Sequence, residues 1–175
     1  FCSNYKPEDK KVKVYKTGDM MRRISQKRPN VPPVPEENIL DLQPELLKSL
    51  RENMFNEILN ADKKDLDRIL VDMHAQFFWN DVYVNACDGN FLNNMNPDLF
   101  LSIIDKPSDV KKRQNKSPQG KSQDHDLRDI LLWQNCEVNM TKAWADQYKK
   151  PMYVFPRSQN PEIIDGLLCN EFLIY

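Results

Sequence analysis

The sequence predicts a helix-dominated α+β fold, with a helical hairpin core over about residues 43–79, additional helices and a small peripheral sheet. Two observations predict the hairpin. Leu46, Leu47, Leu50, Met54, Ile58 and Leu59 recur at helical spacing, and Leu66, Ile69, Leu70, Met73 and Phe77 continue with steps of three and four. A third predicts the sheet: Val12 and Val14 alternate with lysines, which is the pattern of a short, half-exposed strand.

In chain order, Lys10–Thr17 is that strand, and its lysines suit a sheet edge because charge discourages further pairing. Residues 18–27 form a short basic helix. Arg28–Pro35 holds four prolines, which fix the backbone and remove donors, so it is read as a stiff strap over the surface. Pro44 and Glu45 open the first hairpin helix, where proline has no donor to lose and the acid meets the positive end of the dipole. Asn60 ends it and Asp62 caps the second. Residues 81–87 fit helix or strand equally. Gly89 and the Asn93–Asn94 pair mark a loop, and Asn96–Pro97 opens a helix carrying Leu99, Phe100, Ile103 and Ile104. Residues 106–123 contain six basic residues, two prolines and no aromatic, and are expected as a mobile basic loop within the domain. Two further helices then carry Leu127, Ile130, Leu131 and Trp144. Met152–Phe155 is a strand, and Asn160–Pro161 opens a last helix. The apolar residues 172–175 must dock to be soluble. The whole, 1–175, is read as a single domain, with 1–35 its N-terminal strand plus proline-rich strap.

Composition limits the function. Lys+Arg is 25 against Asp+Glu 26, and this balance argues against a nucleic-acid binder. No apolar run approaches the roughly 20 residues of a transmembrane helix. With only 4 Gly, phosphate loops have little to be built from; neither Gly-x-Gly-x-x-Gly nor Gly-x-x-x-x-Gly-Lys-Ser/Thr occurs. No cofactor is expected.

The cysteines Cys2, Cys87, Cys136 and Cys169 form no Cys-x-x-Cys pair, so a zinc ribbon lacks its signature. They are candidates for disulfides, with Cys87 bridged to Cys136 or Cys169. Cys2 stands near the start, but Phe1 before it suits a lipid-anchoring cleavage site poorly. Asn115 and Asn139 each begin an Asn-x-Ser/Thr tripeptide and are candidate glycosylation sites. Together these features favour a secreted or extracytoplasmic location, with cytoplasmic as the alternative.

One constellation could hold a metal. His125–Asp126, with His74 and Asp146, resembles the order of ligands in HD-type phosphohydrolases, where imidazole and carboxylate together hold an ion that activates water. The plainer reading makes Asp126 a helix cap and His74 a residue at the core margin. The sequence therefore predicts a non-enzymatic protein-interaction module that binds a protein partner. A metal-dependent hydrolase using His74, His125 and Asp126 is the alternative.

Overall fold

Consecutive β-branched and aliphatic residues flanked by polar ones make strands that are buried on both faces, and such strands belong to parallel sheets covered by helices. The computed structural model describes residues 12–27, 36–61, 64, 66, 68–87, 89–160 and 162–168. It opens with β1 (Val12–Lys16), which runs directly into α1 (Thr17–Gln26). A 3-10 turn (Glu36–Asp41) and α2 (Pro44–Leu59) lead to β2 (Arg68–Asp72). Next come β3 (Gln76–Trp79), β4 (Val82–Asn85), α3 (Gly89–Met95) and β5 (Phe100–Ile104). Helices α4 (Pro107–Gln114), α5 (Pro118–Gln123) and α6 (Leu127–Tyr148) separate β5 from β6 (Met152–Pro156), and α7 (Glu162–Leu168) follows. The proline-rich strap and the apolar tail 172–175 fall outside the described residues.

The strands form three pairs. β1 lies parallel to β2, from Val12 opposite Arg68 to Lys16 opposite Asp72. β5 lies parallel to β6, from Phe100 opposite Met152 to Ile104 opposite Pro156. Both pairs are closed by helical crossovers, as parallel neighbours require. β3 and β4 form an antiparallel hairpin. The carboxyl ends of β2 and β5 converge on one stretch of α6. Glu137 Oε1 accepts from Ala75 N at 3.0 Å, and Gln134 Oε1 accepts from Asp105 N at 2.8 Å. The other end of β5 lies near the other end of α6, with the Phe100 and Tyr148 rings 6.3 Å apart.

The helical hairpin is corrected: α2 exists, but its expected partner is strand. Ile69, Leu70 and Val71 are adjacent in sequence, so a helix would spread them around its girth, whereas the strand paired with β1 leaves all three half-buried. Phe77–Trp79 is an aromatic run that turns at Asn80 and Asp81. Their φ values of 49° and 61° are the two left-handed positions of a two-residue hairpin turn. The helix expected after Asn96–Pro97 is likewise β5, and Asn96 takes φ 45° instead of an N-cap conformation.

The basic stretch 106–123 is helical. Pro107 opens α4, Asp109 stands in its first turn and Lys111, Lys112 and Arg113 in its last, so the charges oppose the dipole at both ends. Ser117 caps α5 by accepting from Gly120 N at 3.0 Å. The two helices expected after it are one, α6. Its capping box pairs Asp126 and Asp129, and its C-terminus closes at Lys149 in the left-handed conformation, φ 54°. Lys149 is exposed and pays the Cβ penalty of that conformation. Lys149→Gly is therefore expected to raise stability by about 0.5–1 kcal/mol in a urea melt.

The main core packs α2 on α1, α3 and α6. Leu50 and Ile58 are fully buried, Met54 nearly so, and Phe55 stacks on Phe91 at 3.9 Å. Ile130 is also fully buried, whereas Leu131, expected inside, is 57% exposed on the outer face of α6. A second cluster joins Leu70 of β2 and Leu101 of β5 to Phe155 and Ile164.

Candidate functional site

Open parallel sheets bind ligands outside the carboxyl ends of their strands, where loops and helix starts gather polar groups over an apolar floor. Here those ends border a cleft of about 1670 Å³ between β2 and β5. Lys16 and Thr17 stand at the end of β1, Asp72 to His74 at the end of β2, Asp105 after β5 and Arg157 after β6.

The half-buried run of β2 delivers Asp72, itself exposed, to the mouth of the cleft. Thr17 Oγ1 donates to the Asp72 carbonyl at 3.0 Å and ties the start of α1 to this strand end. Two residues on, His74 Nδ1 lies 2.9 Å from Glu137 Oε1. The same carboxylate oxygen accepts from the backbone N–H groups of Ala75 and Gln76, so one side chain of α6 holds the whole turn after β2. The Trp133 ring stacks on His74 with centroids 5.4 Å apart, and its Nε1 donates to the Gln76 carbonyl at 2.7 Å. Desolvation pulls the His74 pKa down. The charge and hydrogen bond of Glu137, with Asp72 adding, outweigh it, and the imidazole sits above its usual value.

His125 is the opposite case. It is buried, stacked on Phe78 at 5.1 Å and edge-on to Trp133 at 5.7 Å. Its Nδ1 is buried with no hydrogen-bond partner. Desolvation lowers its pKa, opposed by Asp129 and assisted by Lys111. A histidine whose folded pKa is depressed binds fewer protons than in the unfolded chain. Its contribution is thus complete above the ordinary value of 6.5 and is lost as pH falls through the folded value. His125→Phe keeps the stack without the orphaned nitrogen, and is expected to reduce the loss of Tm between pH 7 and pH 5.

Two arginines complete the surroundings. Arg113 Nη1 donates to the Asp105 carboxylate at 2.6 Å beside the end of β5. Arg51 donates through Nη1 to the Asn85 carbonyl at 3.1 Å, while its Nη2 is buried without a partner. The guanidinium lies over Phe77 at 6.0 Å, in a side pocket of about 180 Å³ that shares Thr17, Gly18 and His74 with the main cleft. Burial lowers its pKa, with the Cys87 thiol acting the other way. A buried cationic donor without an acceptor is costly, so this pocket suits an anion.

The metal constellation read from the sequence is not assembled. His74 and His125 flank Trp133, but Asp126 caps α6, accepting from Asp129 N at 2.8 Å. Asp146 pairs with Lys142 near the far end of the same helix, about 30 Å along its axis from Asp126. Among the described residues, no group of three His, Cys, Asp or Glu side chains could hold a metal ion. Cys87 and Cys136 are half-buried thiols not joined by a disulfide, while Cys2 and Cys169 fall outside the described residues. Asn115 ends α4 and Asn139 lies on the exposed side of α6. Sequence reasoning missed Asp72, Trp133, Glu137, Arg51 and Arg113. The signal for Asp72 was present: a run of adjacent aliphatic residues closed by an acid, Ile69-Leu70-Val71-Asp72, is the pattern of a strand that ends in a carboxylate.

Residues 2–130 match the protein family described as an AAA domain. No curated protein matches the chain. The family match overturns the non-enzymatic interaction module and the HD-type hydrolase read from the sequence. It also replaces the hairpin-centred α+β fold. Covering well over half of these 175 residues, it shows that the chain belongs to the AAA domain family, whose fold is a P-loop NTPase-like α/β type with parallel sheets.

Proposed function

We propose that the chain is part of a nucleotide-binding, kinase-like enzyme, with the nucleotide phosphates held at the carboxyl ends of β1, β2 and β5. The observation that carries this reading is the placing of Asp72. It is an exposed carboxylate at the end of a half-buried parallel strand, tied to the start of α1 through Thr17.

A single carboxylate at this position fits Mg²⁺. That ion keeps most of its waters and binds through one or two carboxylates plus substrate phosphates, so no three-ligand cage is needed. Asp72 would hold it, and the ion would neutralise phosphate charge there. Lys16 adds positive charge beside the same strand ends, and Arg51 offers its unpartnered Nη2 to a second anion. Glu137 positions His74 and the turn after β2. The phosphate cradle itself is another matter. These 175 residues contain no Gly-x-x-x-x-Gly-Lys-Ser/Thr, so the backbone amides that wrap the terminal phosphates have no source here, and no transfer step is assigned to the residues present.

Paramagnetic Mn²⁺ substitutes for Mg²⁺ and broadens nearby NMR signals. Added with ATP, it is expected to broaden the amides of Thr17 and of residues 72–75, and Asp72→Asn is expected to abolish that broadening. Equal broadening in the variant would remove Asp72 from the metal's surroundings.

A further inference from the structure

We propose that α5 is a proton-released flap on the wall of the main cleft. His125 is its latch: the neutral imidazole inserts between Phe78 and Trp133 and holds the flap closed, and protonation expels it.

The latch is built from ring contacts. Tyr83, Phe78, His125, Trp133 and His74 form a continuous series, with centroids 4.8, 5.1, 5.7 and 5.4 Å apart in turn. The β3–β4 hairpin supplies the first two rings, α6 supplies Trp133 and the turn after β2 supplies His74. His125 is the member carried by the segment that links α5 to α6, and it fills the gap between hairpin and helix. Only 6% of it is exposed.

Further ties converge on the same point. Lys111 Nζ of α4 donates to the His125 carbonyl at 2.6 Å and to Asp124 Oδ1 at 2.8 Å. Gln123 Oε1 accepts from Asn80 N at 2.8 Å, which fastens the flap to the hairpin turn. Asp124 takes φ 45°, a left-handed conformation that persists only while its surroundings hold it. At the other end α5 folds tightly on α4, since a Cβ at Gly120 would lie 2.8 Å from the Gln114 carbonyl oxygen. Gln114 Oε1 and His125 Nδ1, at the two ends of the flap, are both buried without a hydrogen-bond partner. Opening into water would satisfy both atoms, so stacking and shape close the flap against a polar cost. Such a balance makes a local two-state element.

The groups facing His125 set the direction of the switch. Burial, the largest influence, and Lys111 of α4 favour the neutral ring. Asp129 of α6, Asp81 of the hairpin turn and Asp124 favour the imidazolium, and burial prevails. Lys111 holds Asp124 below its ordinary 3.8, so that carboxylate stays charged between pH 7 and pH 5. In the open flap the imidazole meets water and titrates at its ordinary 6.5. The open state therefore takes up the proton more readily, the closed state is fully favoured above 6.5, and acid opens the flap. Ser117, Gly120, Gln123 and His125 border the cleft, so opening removes part of its wall. It also takes the edge-on ring away from Trp133, which stacks on His74. The proton acts on this wall whatever the cleft binds, and the latch stands apart from the nucleotide reading.

Amide hydrogen exchange of the 175-residue chain at pH 7 and pH 5, expressed as protection factors, tests the latch. The reporters are Gly120, Lys121 and Asn80, whose N–H groups donate to Ser117 Oγ, the Ser117 carbonyl and Gln123 Oε1. A flap that opens locally leaves them roughly tenfold or more less protected than Leu50 and Ile58 of the core at both pH values. Their protection in the wild type is expected to fall by roughly threefold or more at pH 5. His125→Phe keeps a ring in the slot and removes the titration, and is expected to abolish the fall. Gln123→Ala frees the hairpin tie and leaves His125 in place. It is expected to lower protection of Gly120 and Lys121 at both pH values with the fall retained. An equal fall in His125→Phe, no fall in the wild type, or loss of the fall in Gln123→Ala would overturn the latch. Reporters as protected as Leu50 and Ile58 would overturn the flap, because they would then exchange only by global unfolding.

Discussion

Glu137→Ala is expected to destabilise the fold by about 2–3 kcal/mol and to detach the turn after β2. One carboxylate oxygen serves His74 Nδ1, Ala75 N and Gln76 N, and the Ala75 residue is buried. Removing the acceptor leaves part-buried donors without partners, and hydrogen bonds to charged groups contribute about 1.5–3 kcal/mol. Glu137→Gln separates charge from geometry. It keeps an acceptor oxygen but leaves desolvation to act on His74 without the opposing carboxylate, so the His74 pKa is expected to fall below 6.5. The sign for stability follows. A histidine with a raised folded pKa contributes stability that is complete below 6.5 and lost as pH rises through the folded value. The wild type is expected to show that loss and Glu137→Gln to lack it. Chemical denaturation across pH, with an NMR titration of the two imidazoles, measures both. A His74 that titrates unchanged in Glu137→Gln would contradict the pairing.

Leu50→Ala is expected to cost about 3–4 kcal/mol, within the range for fully buried leucines. Leu50 has no exposed surface and belongs to the cluster in which α2 meets α1 and α3. Leu131→Ala, at an exposed site on α6, is expected to change stability by less than about 0.5 kcal/mol. Urea midpoints of the two variants compare them directly. Similar losses would mean that the outer face of α6 is covered.

The difference between Leu50 and Leu131 shows where the sequence is legible. α2 is read correctly because its apolar residues recur on one face and Pro44 marks its start. β1 is read correctly because lysines alternate with valines at an edge. β2 defeats the same reasoning: Ile69, Leu70 and Met73 fit helical spacing as well as they fit a strand covered on both sides, and only the adjacent Val71 decides. The hairpin turn at Asn80 and Asp81 could have been noticed, since both residue types tolerate left-handed backbone. Of the site, His74 and His125 were visible as residue types, but their opposite environments were not. Glu137 is 63 residues from His74 in sequence and reaches it only because α6 crosses the strand ends. The basic residues of α4 looked like a solvated loop because composition does not record that their charges sit at the correct ends of a helix.

A titration of the ¹⁵N-labelled chain with Mg²⁺-ATP tests the central claim most directly, because it asks whether the strand ends form one site. Shifts concentrated at Lys16, Thr17, residues 72–75 and Asp105 are the result expected from the parallel-sheet geometry. Unchanged resonances at these positions, or shifts confined to the β3–β4 hairpin and the outer face of α6, would contradict it.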